Sequence, residues 1–503
     1  MSTDRNHRTR NGLAGSSLQI EDAPLAPMEG RARESAAATH LTRRGFFSSV
    51  SGGMMGGALL SLLEGEAEAA PLQPHYAPKA KSVIHLFMNG GPSQMDLFDP
   101  KPKLDRLHGQ SYFNEIAGEV ENPQHAGSMM RCPYTFAQYG QCGMTVSDVM
   151  PHIAKCVDDI AFIRSMHTTN LTHEPALFIA HSGRMQPGLP TIGSWVSYGL
   201  GSENQNLPAY VVLEDPGKLP VNGTQNWQAG FLPPQHQGTR FRATGAPVLN
   251  LKPAFNQPEA VQTLERDLIA KLNAAHQSRR PWQPRLGARM ASYELAARMQ
   301  LEASDALNLD QETEVTKKMY GLGGKTTDSY GRRCLIARRL VERGVRFVQL
   351  FIDFQIWDNH NSLRTGLKGC CDKTDQPVAA LLKDLKQRGL LDQTLVVWGG
   401  EFGRLPIAQL PGDKNAANAG RDHNKNAMIT WMAGGGTKGG VVHGATDDIG
   451  MSAVQDRVSI ADWHATILHC LGLDHHQLVY PRNGLDERLT HVAEARVVRE
   501  ILK

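Results

Sequence analysis

The stretch Tyr330–Ile352, YGRRCLIARRLVERGVRFVQLFI, decides the fold class. Tyr330–Arg343 reads as a helix, Gly344 stops it, and Val345–Ile352 is an apolar run of strand length followed by the polar Asp353. The same order recurs downstream. A helix over Asp375–Arg388 passes through Gly389 into a strand over Thr394–Trp398. A strand over Ala427–Met432 precedes Gly434-Gly435-Gly436, and a helix over Ile460–Leu471 stops at Gly472. Helix, glycine, buried strand and polar loop in repetition predict an α/β fold: a mostly parallel sheet with helices on both faces.

Upstream, the pattern is looser. Ser82–Met88 (SVIHLFM) is a short apolar strand that breaks at Asn89-Gly90-Gly91-Pro92. Asp148–Val157 reads as a helix, Ile160–Arg164 as a strand, Glu174–His181 as a helix closed by Ser182-Gly183, and Ala209–Leu213 as a strand. A region rich in Pro, Gly, Asn and Gln follows over 214–257, and then two charge-laced helical stretches at about 258–277 and 288–304. These form an inserted loop and helical region at about 214–325.

The chain has 503 residues, 53 Lys+Arg against 50 Asp+Glu, a net charge of +3, and 20 histidines. With no basic block in its body, it carries no nucleic-acid signature. Seven cysteines and no C-x-x-C pair exclude a disulfide scaffold, cysteine zinc sites and thioredoxin chemistry. Thr42-Arg43-Arg44-Gly45-Phe46-Phe47 precedes a Gly- and Ala-rich apolar run, Val50–Leu63, and then Ala67-Glu68-Ala69. This order reads as a twin-arginine signal peptide with an A-x-A-type exit. The apolar run is shorter than the roughly 20 residues a membrane span needs, so no stable span is expected after cleavage. Residues 1–69 are thus a disordered extension plus a leader, and 70–503 a single α/β domain bound for the periplasm or another exported location. An oxidising destination permits disulfides, and Cys132 and Cys142 can pair.

In open α/β sheets, ligands bind outside the carboxyl ends of the strands. That rule selects four loops. The first, Asn89–Asp99, offers Asn89, Ser93 and Asp96 as oxygen ligands beside two glycines. The second, Met166–Pro175, brings Thr172 and His173 to a helix N-terminus, which suits a nucleophile or an anion and equally suits an ordinary N-cap. The third, Asp353–Asn361, carries Asp358 and His360, a pair able to hold one divalent ion. The fourth carries Glu401 and Arg404 and leads to Arg421 and His423. Acidic and histidine groups at several strand ends point to a shared metal site.

The strings GGPSQMDLFDPKPKL (90–104), WDNH (357–360), EFGR (401–404), GRDHN (420–424) and DWHATILHCLGL (462–473) resemble a bacterial exported family, domain of unknown function 1501. That family is grouped with the alkaline phosphatase/sulfatase-like superfamily. The resemblance implies that fold and a metal-dependent hydrolysis of phosphate or sulfate esters, on a small molecule or a polysaccharide. By position it assigns the first-strand role to Asn89 or Asp96, the nucleophile's place to Thr172–His173, and metal groups to Asp358, His360, Glu401 and His423. His173 stands where a Ser, Thr or Cys is usual, Glu401-Phe402 where Asp-His is usual, and no C-x-P-x-R occurs. A formylglycine sulfatase is therefore disfavoured, and a non-catalytic exported binding or assembly protein on the same fold is the competing reading.

In the hydrolase reading, one or two divalent ions act as Lewis acid and lower the pKa of a bound water. The mixed O/N ligand set favours Zn or Mn and leaves Ca and Mg open. Arg404 and Arg421 would clamp the ester's oxygens, with a structural salt bridge the equal alternative for Arg404. Asn226 and Trp227, in an amide- and aromatic-rich loop, would wall the substrate pocket, and His167 and His464 are read as structural.

Overall fold

The computed structural model describes residues 73–242, 258–280, 283, 285–412 and 415–503, all within a unit spanning Glu66–Lys503. The leader and extension expected over 1–69 lie outside the described residues.

Nine strands form the central sheet: β1 (Ser82–Phe87), β2 (Ile160–His167), β3 (Tyr210–Leu213), β4 (Thr239–Phe241), β5 (Phe347–Phe351), β6 (Thr394–Gly399), β7 (Met428–Ala433), β8 (Val441–His443) and β9 (Val458–Ser459). Their order is β8-β2-β7-β6-β1-β5-β3-β4, with β9 also paired to β2. β1 lies in the interior, parallel to β5 (Ile84 opposite Val348) and to β6 (Ile84 opposite Val396). β7 runs antiparallel to β2 and β6, which makes the sheet mixed but mostly parallel.

Every residue of β1, β5 and β6 is buried, the mark of strands covered on both faces. Alternation sorts them. Ile84 and Leu86 join a cluster with α5 (Asp328–Glu342) and α6 (Leu363–Gln387), through residues such as Leu340 and Leu381. Val83 and Phe87 face α1 (His173–Ser182), α2 (Ile192–Leu200) and α7 (Ile460–Cys470), through Leu177, Trp195 and Ile467. A third apolar cluster, with Met95, Leu104, Met129, Leu405 and Met451, lies among the loops after β1, β6 and β8.

Two expected helices change. Asp148–Val157 is not an α-helix; a 3-10 segment covers Ile153–Asp159. The amides of His152 and Ile153 donate to the Asp375 carboxylate at 2.7 and 2.8 Å, and Asp148 Oδ2 accepts from Thr135 Oγ1 at 2.6 Å. α6 begins twelve residues before the expected Asp375 and passes through Pro377. Its first turns, with Gly366 and Gly369, have weak helical propensity and are held by tertiary contacts of Leu363, Leu367 and Cys371.

Within the expected insertion, β4 completes the sheet edge beside β3. Two helices, α3 (Glu259–Ser278) and α4 (Arg285–Leu307), follow, and α4 enters the core through Met299, Ala303 and Ala306. All seven cysteines are free, so the Cys132–Cys142 pair does not form. Cys142 is exposed at a hairpin turn, where its amide donates to Asp158, while Cys132 is drawn inward beside the Asp96 carboxylate.

Candidate metal centre

The site forms at the carboxyl edge of β1, β2, β5 and β6, where the antiparallel β7 also begins. The first strand ends in a clasp. Asn89 donates its side-chain amide to the carbonyls of Ile352 (2.7 Å) and Phe354 (2.8 Å), and its own carbonyl accepts from Trp357 N (3.1 Å). This folds the loop after β5 over the end of β1. Gly90 takes φ +107°, and a Cβ there would sit 2.5 Å from Asp358 N, so only glycine permits the approach. Gly90 N then donates to both carboxylate oxygens of Glu401, at 2.9 and 3.1 Å.

Asp358 stands at the centre of the site. Its Oδ1 lies 2.9 Å from His360 Nε2, 3.1 Å from His423 Nε2 and 2.8 Å from Arg404 Nη2. Its Oδ2 lies 3.3 Å from His173 Nε2. Ligand atoms of His173, Asp358, His360 and His423 all fall within 4.8 Å of one another, which makes a candidate metal-binding cluster. Each imidazole turns Nε2 inward and rests its outer nitrogen on an oxygen. His173 Nδ1 meets Glu401 Oε1 at 2.8 Å, His423 Nδ1 meets Glu121 Oε2 at 2.7 Å, and His360 Nδ1 pairs with Gln409 Oε1. An acceptor on the outer nitrogen selects the tautomer whose inner nitrogen has a free lone pair.

Phe402 packs against the His423 and His173 rings at centroid distances of 4.3 and 4.9 Å. Glu121, His360, Asp422 and His423 form a second, overlapping group of the same compactness on the outer edges of two of these rings. Asp422 also binds backbone, accepting from His423 N (2.8 Å) and Asn122 N (3.0 Å).

The electrostatics agree with the geometry. Burial alone would lower the His173 imidazole, but the Asp358 and Glu401 carboxylates outweigh it and the group is pushed up to about 9. Burial also opposes ionisation of Asp358, yet Arg404 and the three imidazoles hold it far below the usual carboxylate range. The site is built for positive charge around one carboxylate. A divalent cation fits it on a further count: three nitrogens and one oxygen are a common donor set for zinc-like ions.

Several residues expected at the site have other work. Asp96 is fully buried and pairs with Arg421, whose Nε and Nη2 donate at 2.7 and 3.0 Å, while Ser93 Oγ donates to the same carboxylate. Neither Asp96 nor Arg421 reaches the imidazoles, because a buried charge takes its nearest opposite. Arg404 is buried and closed over the carbonyls of Gly90, Gly91, Trp357 and Arg421 besides Asp358, so its guanidinium serves to pin these loops together.

Glu401 orients His173 and lies outside the four-donor group. Thr172 is exposed at the rim, its hydroxyl donating to Glu121 Oε1 at 3.3 Å. Asn226 is buried on the carbonyls of Val221 and Gly223, and Trp227 packs against Phe351 with centroids 5.3 Å apart, so neither walls a pocket. The sequence reading missed Glu121 and Gln409. No motif surrounds either, and only the fold brings them to His423 and His360.

A search of curated protein sequences returns no match. Among solved structures, the chain is similar to the lipoteichoic acid synthase LtaP from Listeria monocytogenes (9% identity, 86% of this chain and 80% of that one, TM-score 0.36). It is also similar to the PsFucS1 sulfatase from Pseudoalteromonas sp. (12%, 83% and 70%, TM-score 0.34) and to the phosphonate monoester hydrolase SpPMH from Silicibacter pomeroyi (10%, 84% and 76%, TM-score 0.33). The family model described as "Protein of unknown function (DUF1501)" matches residues 80–502, from the start of β1 through every strand and the whole donor set, and the chain belongs to that family.

Proposed function

We propose that this protein is an exported metal-dependent hydrolase of phosphate or sulfate esters, with its metal on His173, Asp358, His360 and His423. One observation carries the reading: three imidazoles, each backed by an oxygen at Nδ1, turn Nε2 onto one carboxylate. A bound zinc- or manganese-like ion would supply positive charge to neutralise the ester's anionic group. Around it, Glu401, Gln409 and Glu121 hold the rings. Thr172 Oγ1 already donates to Glu121 Oε1, a hydroxyl paired with a carboxylate that can take its proton. Gly90 and Phe402 close the inner side against water.

A second reading, a non-catalytic metal-holding binding or assembly protein, draws on the burial of Arg404 and Arg421 among internal carbonyl and carboxylate partners. Elemental mass spectrometry separates these readings when joined to hydrolysis assays on aryl phosphate, phosphodiester and sulfate esters. The hydrolase reading expects about one equivalent of metal, lost in His360→Ala/His423→Ala, and turnover lost in Thr172→Ala with metal retained. Metal without turnover of any ester favours the binding reading, and a metal-free protein sinks both.

The paired Arg43-Arg44 leader supports passage through twin-arginine machinery to the periplasm. A reporter fused after residue 75 that stays in the cytoplasm would overturn this. No helix among the described residues is long and apolar enough to cross a membrane.

A further inference from the structure

α3 exposes a stripe that a solitary helix would not keep. Val261 (40% exposed), Leu264 (69%), Leu268 (58%) and Leu272 (61%) follow one another at spacings of three, four and four, which is one helix face, and Ile269 (56%) flanks them. Exposed aliphatic side chains in a continuous row mark a contact surface, whereas scattered single ones do not.

Two features of the row identify its occupant. First, it is symmetric about Leu268: Leu264 and Leu272 stand four residues to either side, and Val261 and Ala275 seven. A face that reads the same in both directions is complementary to itself in antiparallel pairing, the requirement of a two-fold contact. Second, the charges divide. Glu265 and Asp267 lie before the midpoint with only Arg266 against them, while Lys271, Arg279 and Arg280 lie beyond it. Antiparallel pairing sets the acidic half of one helix beside the basic half of the other, and parallel pairing sets like against like. A membrane surface fits less well, since the helix has no aromatic residue and carries acidic groups of its own.

We propose that α3 docks on α3 of a second copy of this chain, antiparallel, with the two-fold axis at Leu268. The site at the strand ends takes no part in this contact, so the dimer stands or falls apart from any metal or activity.

The test uses the full chain. Sedimentation velocity from low to high micromolar concentration should show a monomer–dimer equilibrium. Leu264→Glu/Leu268→Glu should weaken it by about 100-fold or more, because four carboxylates then meet at the axis. Both positions are exposed, so at a concentration low enough for both proteins to be monomeric the melting temperature of the variant should match that of the wild type.

Orientation is read by cross-linking in a Cys142→Ser background. Leu268→Cys should form a disulfide-linked dimer on mild oxidation. Val261→Cys should not, because seven helical residues put it about 10 Å from the axis and about 20 Å from its copy, beyond disulfide reach. A monomer at every concentration, a dimer that survives the glutamates, or equal cross-linking at Val261 would each overturn the proposal. So would a monomer that binds lipid vesicles through the same stripe.

Discussion

Two histidine trios sit at opposite ends of one helix. His173, the first residue of α1, joins His360 and His423 at the strand ends; His181, one residue from its other end, joins His85 of β1 and His464 of α7 inside the fold. The first trio surrounds a carboxylate and leans on two more. The second is buried among Phe87, Phe351 and Trp463, with ring centroids 4.4–5.6 Å apart where they touch. Its polar company is Gln349, whose amide nitrogen lies 3.2 Å from His181 Nδ1 and 3.5 Å from His85 Nδ1 and whose oxygen accepts from Tyr210, together with the Ala180 carbonyl 2.8 Å from His464 Nε2.

Burial pushes His85 down to about 3 and His464 to about 4, and drives His181 well below its ordinary value. The same side chain thus becomes a neutral core residue or a cation-seeking one according to whether carboxylates share its burial.

Four predictions break or sharpen that contrast. The largest effect is on metal. Asp358→Ala should abolish stoichiometric metal, while Gln349→Leu should leave metal content unchanged and cost about 3 kcal/mol of stability through orphaned imidazoles and the Tyr210 hydroxyl. Loss of metal from Gln349→Leu would show that α1 couples the two trios.

The second effect is in pH, on chelated protein. The inner imidazoles have depressed folded pKa values, so their stability is present above about 6.5 and lost as pH falls through about 4 and then about 3, on the order of several kcal/mol. His173, raised to about 9, contributes stability that is full below 6.5 and lost as pH rises through 9. Urea denaturation from acid to alkaline pH should therefore show two limbs. His464→Gln should flatten only the acid limb and Glu401→Gln only the alkaline one; a single variant flattening both would end the distinction.

Third, Glu401→Gln should weaken metal affinity about 10- to 100-fold while the ion still binds, because the oxygen that fixes His173 becomes neutral. Competition with a chromogenic chelator measures it, and an unchanged affinity would reduce Glu401 to a clasp for Gly90. The smallest effect is Thr172→Ala. Its side chain makes no capping bond to α1, so stability should move by less than about 0.5 kcal/mol, and a larger shift in the denaturation midpoint would mean the hydroxyl is structural.

β1, β2, β3, β5, β6 and β7 were legible as local, largely apolar runs, whereas β4, β8 and β9 are only two or three residues long and fall in stretches without strand signal. Asp358, His360 and His423 were legible as site residues because they flank such strands. Their division of labour was not. Asp96 and Glu401 are both acidic residues in loops after a strand, yet one meets Arg421 across 325 residues and the other meets His173 across 228. Which partner a buried carboxylate finds is a property of packing, and composition holds no record of it. α2 went unread because Ile192–Leu200 is short and holds two glycines and two serines, and its burial supplies what its propensity does not.

The closure of Arg404 over carbonyls from residues 90, 91, 357 and 421 has a consequence for timing. The chain is made from one end, and the first clasp residue, Asn89, precedes the last donor, His423, by most of its length. Until His423 leaves the ribosome, His173, Asp358 and His360 wait without their fourth donor, and Arg404 waits for the Arg421 carbonyl it closes on. The complete donor set is thus available only at the final stage of synthesis or later, and a truncated chain that ends before residue 423 lacks it.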